Sequence, residues 1–203
     1  MRRPSVRKPA KALARPDYFP PENVLLRVLS PALVGQREFE QFHFIGFDLS
    51  QAELAGRRFT DCLFETCNLA GASLANVSLQ NVAFDGCKLL GLQFTVCRDL
   101  LFGVHFDRCQ LDYASFGSKQ MAGTRFDGCS LREADFADTN LMGSVFADCD
   151  LTGALFENTK LAGADFRTAR HLQLDPALND VKGARFALES LPGLLTKFGL
   201  VVE

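Results

Sequence analysis

Seven cysteines, three histidines and a set of evenly spaced carboxylates are the side chains in this 203-residue chain with chemistry to offer. The cysteines stand at positions 62, 67, 87, 97, 109, 129 and 149. A zinc site wants thiolate pairs two to four residues apart on a turn. The tightest pair, Cys62 and Cys67, has four residues between its members, but the pattern described below sends them to different sides of the fold. The histidines His43, His105 and His171 have no Ser or Cys at an offset that would build a nucleophile–base pair. No glycine loop of the phosphate-binding kind is present. The sequence therefore offers no catalytic residue, no metal ligand and no cofactor site, and the expectation is a protein that is not an enzyme. The carboxylates differ: Glu65, Asp85, Asp107 and Asp127 each directly follow a phenylalanine. They are able to present negative charge to a basic partner, or simply to keep a surface solvated.

What must position them is a repeat. Stepping by five from Phe44 meets Leu49, Leu54, Phe59, Phe64, Leu69, Leu74, Leu79, Phe84, Leu89 and Phe94. The step fails at Asp99 and resumes two residues later with Leu101, Phe106, Leu111, Phe116, Met121 and Phe126, then runs to Phe166. Of these 25 positions 24 are Leu or Phe. A period of five suits neither a helix at 3.6 nor a strand at 2, so the backbone must turn the same corner every five residues. Two positions before most centres stands a small residue, often Ala, and all seven cysteines occupy that slot. Residues two apart on an extended segment point the same way, so both face inward and the cysteines read as small core residues. Gly71, Gly91, Gly143, Gly153 and Gly163 fall at corners, where a tight turn wants glycine.

The motif is legible in Ala164-Asp165-Phe166 and Glu133-Ala134-Asp135-Phe136. It resembles that of the pentapeptide-repeat family, and the resemblance implies an all-β fold: a right-handed quadrilateral β-helix with four repeats per coil. Closure at 20 residues, or 22 across the insertion around Arg98–Leu100, is tested by the sequence itself. It aligns Phe44, Phe64, Phe84, Phe106, Phe126, Phe146 and Phe166 in one column, and Leu49, Leu69, Leu89, Leu111, Leu131 and Leu151 in the next. It also stacks Glu65, Asp85, Asp107 and Asp127 in a vertical row about 5 Å apart. Like charges that close repel. Arg57 and Lys119 fall in inward slots, and Lys119 comes one coil from Asp99, where an ion pair is expected.

The organisation follows. Residues 1–20, with six basic groups and one acid, read as a disordered basic arm. Residues 21–38 read as an N-terminal cap, with Glu22–Val34 a short helix or strand over the first coil. Residues 39–170 are the β-helix, a little over six coils and about 30 Å long. Residues 171–203 are an irregular last coil, a short C-terminal helix with Ser190 as N-cap and Gly199 as C-cap, and a final strand. Beyond residue 20 the chain holds 16 basic and 23 acidic residues, a net of −7. No apolar run approaches 18 residues and no h-region follows the basic start, so the expected compartment is the cytoplasm.

The wording from Asn179-Asp180-Val181-Lys182 through Phe186 to Leu194-Leu195 and Gly199-Leu200-Val201 resembles the tail of one branch of the family. That branch contains the Qnr-type quinolone-resistance proteins and the immunity proteins against microcin and albicidin. The resemblance implies a homodimer through Leu191, Leu194, Leu195, Phe198 and Leu200; an intramolecular cap is the alternative. It also implies a DNA mimic that binds DNA gyrase or topoisomerase IV, with the acidic row as its contact and no direct binding of nucleic acid or membrane. A generic protein-interaction scaffold with another partner is the alternative reading.

Overall fold

The computed structural model describes the backbone of residues 23–26 and all of residues 35–199; the basic arm, Leu200 and the expected final strand lie outside these. Strand β1, Asn23–Leu26, pairs in parallel with β3, Phe42–Ile45, so the N-terminal segment lays a strand over the first coil. Side one of the solenoid continues through β5 (Leu63–Glu65), β7 (Val82–Asp85), β8 (Val104–Asp107), β9 (Arg125–Asp127) and β10 (Val145–Ala147). The adjacent side four begins with β2 (Glu38–Glu40), β4 (Arg58–Thr60) and β6 (Ser78–Gln80). Sides two and three, centred on the Leu49 and Leu54 columns, are parallel ladders of single bridges such as Asp48↔Asn68↔Lys88 and Gln93↔Ser115↔Asp135.

The five-residue step has a backbone cause. Once per step a corner residue enters the left-handed region: 12 glycines and 15 other residues do so among those described. Six of the non-glycine corners are Asn or Asp, which tolerate this conformation best. The five expected corner glycines are among them, from Gly91 at φ 66° to Gly163 at 71°.

The core is two kinds of stacked column. Phe44, Phe64, Phe84, Phe106, Phe126, Phe146, Phe166 and Phe186 lie face over face, with ring centroids 4.5–5.6 Å apart. Phe94, Phe116, Phe136 and Phe156 form a second stack on side three, meeting the first edge-to-face. All seven cysteines are buried and free. Their slot has a physical logic beyond size: the Cys67 thiol donates to the Phe44 carbonyl of the coil above (3.3 Å), and Thr139 and Thr159 donate likewise to Phe116 and Phe136. Any small donor there satisfies a corner carbonyl. Burial raises the Cys62 thiol to about 11 and Cys97 to about 12, as expected of core residues and not of reactive ones.

Leu101 is a correction. Every other centre from Phe44 to Phe166 is buried, but Leu101 is 70% exposed. The two extra residues loop out as Leu100 and Leu101, and Phe102 packs against the core in their place. The cause lies one coil below. Lys119, with only 2% of its surface exposed, donates from Nζ to the Cys97 carbonyl and to Asp99 Oδ1, both at 2.6 Å, and sits 5.4 Å from the Phe102 ring. The expected Asp99–Lys119 pair is thus present, and it pins the bulge. Arg57 instead turns its guanidinium to the Glu53 carbonyl.

Stacking continues past residue 170 through the bridges Lys160↔Asp180 and Asp165↔Arg185. The expected C-terminal helix is a single turn, Leu191–Leu194. Ser190 precedes it but is no N-cap in the chemical sense: its hydroxyl donates back to the Ala187 carbonyl. Gly199 closes the following turn in the left-handed conformation.

Candidate interaction surface

The parallel register dictates what each side shows to solvent. On side one, Glu65, Asp85, Asp107 and Asp127 are direct neighbours in successive strands, so the row expected from the 20-residue closure is present. Carboxylates one strand spacing apart would repel strongly if bare, and basic side chains intervene. Arg108 bridges Asp85 and Asp107. Arg125 pairs with Asp127, and His43 Nε2 lies 2.8 Å from Glu65 Oε2. His105 adds no charge, because burial and the neighbouring Arg125 lower its pKa. The row is therefore partly neutralised by Arg108 and Arg125 rather than a bare line of negative charge. These pairs are partly exposed, so each contributes little to stability.

Sequence reading missed side three. In the register found here its outward positions carry Glu53, Asp135, Asp138, Glu157 and Asp175, and no Lys or Arg among the described residues. Only Asp175 has a cation, Lys197 Nζ at 2.6 Å. The signal was available: the same 20-residue alignment that groups the Glu65 row also groups these. The pattern is obscured because the acids fall at three different positions of the repeat.

The C-terminal segment folds back on its own coil. Leu174 N–H donates to the Gly193 carbonyl (3.2 Å), and Leu194 packs against the core. Leu191, Leu195 and Phe198 remain 40%, 37% and 60% exposed, with Leu188 beside them at 79%. Of the residues expected at a dimer contact, Leu194 thus serves the cap, three stay on the surface, and Leu200 lies outside the described residues.

Among the described residues no group of three or more His, Cys, Asp or Glu side chains is placed to hold a metal, and no helix is long and apolar enough to cross a membrane.

No curated protein sequence matches the chain. Among solved structures it is similar to a trypsin-treated form of QnrB1, a plasmid-mediated fluoroquinolone resistance protein, at 18% identity over 89% of this chain and 99% of that one, with a TM-score of 0.48. It is also similar to HetL of Nostoc sp. strain PCC 7120, a pentapeptide-repeat protein involved in heterocyst differentiation regulation, at 17% identity over 78% and 92% of the two chains and a TM-score of 0.29. The profile described as "Pentapeptide repeat region" matches residues 37–116 and 99–166, most of the solenoid. On that match, and on a core built from one residue in every five, the chain belongs to the pentapeptide-repeat family.

Proposed function

We propose that this protein is a non-enzymatic interaction scaffold that binds a type II topoisomerase, DNA gyrase or topoisomerase IV, by occupying its DNA-binding groove. The observation that carries the reading is the carboxylate ladder of side one, an acid in each of four successive coils at the strand spacing of about 4.8 Å. A stiff acidic rod fits a groove built for a phosphate backbone. The apolar surface of Leu191, Leu195 and Phe198 supports a homodimer, which would double the length of the rod. Protection of the topoisomerase from quinolones or toxins is the physiological role this implies, in the cytoplasm.

Magnitudes limit the likeness. Duplex DNA carries one charge per about 1.7 Å of axis, whereas residues 39–170, with 17 acidic and 11 basic side chains, give about one net charge per 5 Å of rod. Favouring a second reading, a scaffold for an unrelated partner, is the observation that basic side chains already pair Glu65, Asp85 and Asp127.

A gyrase supercoiling assay with increasing protein, with and without a fluoroquinolone, separates the two. The topoisomerase reading predicts inhibition at high protein or rescue from the drug at low protein. It also predicts loss of either effect in the Asp85→Lys, Asp107→Lys double variant. Unaltered supercoiling at every concentration hands the lead to the second reading.

A further inference from the structure

The all-leucine column of side two has a seventh position, and it is His171. Leu49, Leu69, Leu89, Leu111, Leu131 and Leu151 are buried, but here the chain shifts by one: Leu172 takes the core and His171 turns outward. The shift puts Arg170, His171 and Gln173 on the wall of a groove of about 780 Å³. Its opposite wall is the folded-back C-terminal segment, with Ala187 and Pro192, and Arg167 stands at its rim.

The wall is organised from beneath. Asp150, 8% exposed, receives Thr152 N–H and hydroxyl, Arg132 Nε (2.8 Å) and His171 Nδ1 (2.8 Å). Burial pushes its carboxyl up, but these hydrogen bonds outweigh burial and hold it ionised, well below the ordinary carboxylate range. The contact between Asp150 and His171 Nδ1 fixes the orientation of the ring. Nε2 is left without a partner among the described residues. The same holds for the Arg170 guanidinium and the Gln173 amide, whereas the hydroxyls of Thr152, Ser190 and Thr196 are already bonded. Glu189 is the one acid in the lining; of the two arginines, Arg167 is already held by the Asp165 carboxylate, which leaves Arg170 as the cation without a partner among the described residues.

We propose that this groove is a binding site for a small organic anion, its oxyanion held by Arg170 with Gln173, and its apolar body lying against Ala187 and Pro192. A guanidinium fork suits carboxylate and phosphate alike, and the volume is that of a small-molecule site. The site is independent of the topoisomerase reading, because no residue of the carboxylate ladder lines it.

The test is an NMR titration of the full chain with phenyl phosphate, with benzoate, and with neutral phenol. Saturating shifts confined to residues 167–173 and 187–196 are expected for at least one anion and not for phenol; which anion binds more tightly identifies the head group. Arg170→Gln and Gln173→Ala, both at exposed positions, should each weaken binding about tenfold or more with an unchanged circular dichroism spectrum, since an oriented hydrogen bond to a charged group contributes at least about 1.4 kcal/mol. Shifts that fail to saturate, that spread along the rod, or that persist in Arg170→Gln overturn the proposal.

Discussion

Replacing Phe126 with alanine lowers the stability of the rod by about 3–5 kcal/mol, the range for emptying a buried aromatic site. Its ring is fully buried and stacks on Phe106 at 5.2 Å and Phe146 at 4.8 Å, with Phe116 and Phe136 edge-on at 6.0 and 5.9 Å. Four aromatic partners are lost at once, and a column locked above and below cannot collapse into the space. In a solenoid each coil touches only its neighbours, so the loss falls on the interfaces at both faces of one coil. Urea unfolding followed by circular dichroism reads it as a lowered midpoint. Leu101→Ala, the control, removes a side chain 70% exposed and should stay within about 0.5 kcal/mol of the parent. Comparable losses for the two variants would mean that Leu101, and not Phe102, fills the core at the bulge.

The second large effect is at Gly193. A Cβ built there would stand 1.9 Å from the Leu172 carbonyl oxygen and 3.1 Å from its carbon. Both are backbone atoms of the last coil, so no rotamer change relieves the contact. Gly193→Ala therefore lifts the C-terminal segment off the rod and breaks the hydrogen bond from Leu174 N–H to the Gly193 carbonyl. It uncovers Leu172 and Leu174, which are now 3% and 4% exposed. Hydrogen exchange should show protection lost at Leu174 and across residues 187–199, while the central coils keep theirs. Unchanged exchange at Leu174 would show that the segment is not seated as described.

The regular parts of this architecture were legible because the period is unusual and the register is parallel. A parallel solenoid carries residue i onto i+20, so the Phe columns, the buried cysteines and the Glu65–Asp127 row follow from alignment alone. Where the period breaks, alignment gives no guidance. At the bulge, the choice between Leu101 and Phe102 is made by a buried lysine that needs Asp99 and the Cys97 carbonyl within reach. At Ser190 the residue type suggested a cap, but its backbone (φ −90°, ψ −8°) is already turning, so its hydroxyl meets the Ala187 carbonyl instead. The ion pairs that damp the acidic row depend on side-chain reach: Arg108 spans two coils to touch both Asp85 and Asp107. Side three shows the opposite case, a charge pattern present in the aligned sequence but unevenly spaced, and so passed over.

If the acidic rod takes the place of DNA on a topoisomerase, as proposed, the binding must depend on salt. Immobilised gyrase is titrated with the protein between 50 and 200 mM salt, a span over which screening weakens phosphate-like contacts strongly. Binding is expected to weaken steeply with salt, to compete with duplex DNA, and to be lost in the Asp85→Lys, Asp107→Lys variant. Binding that ignores salt and DNA, or no binding at the lowest salt, would contradict the proposal.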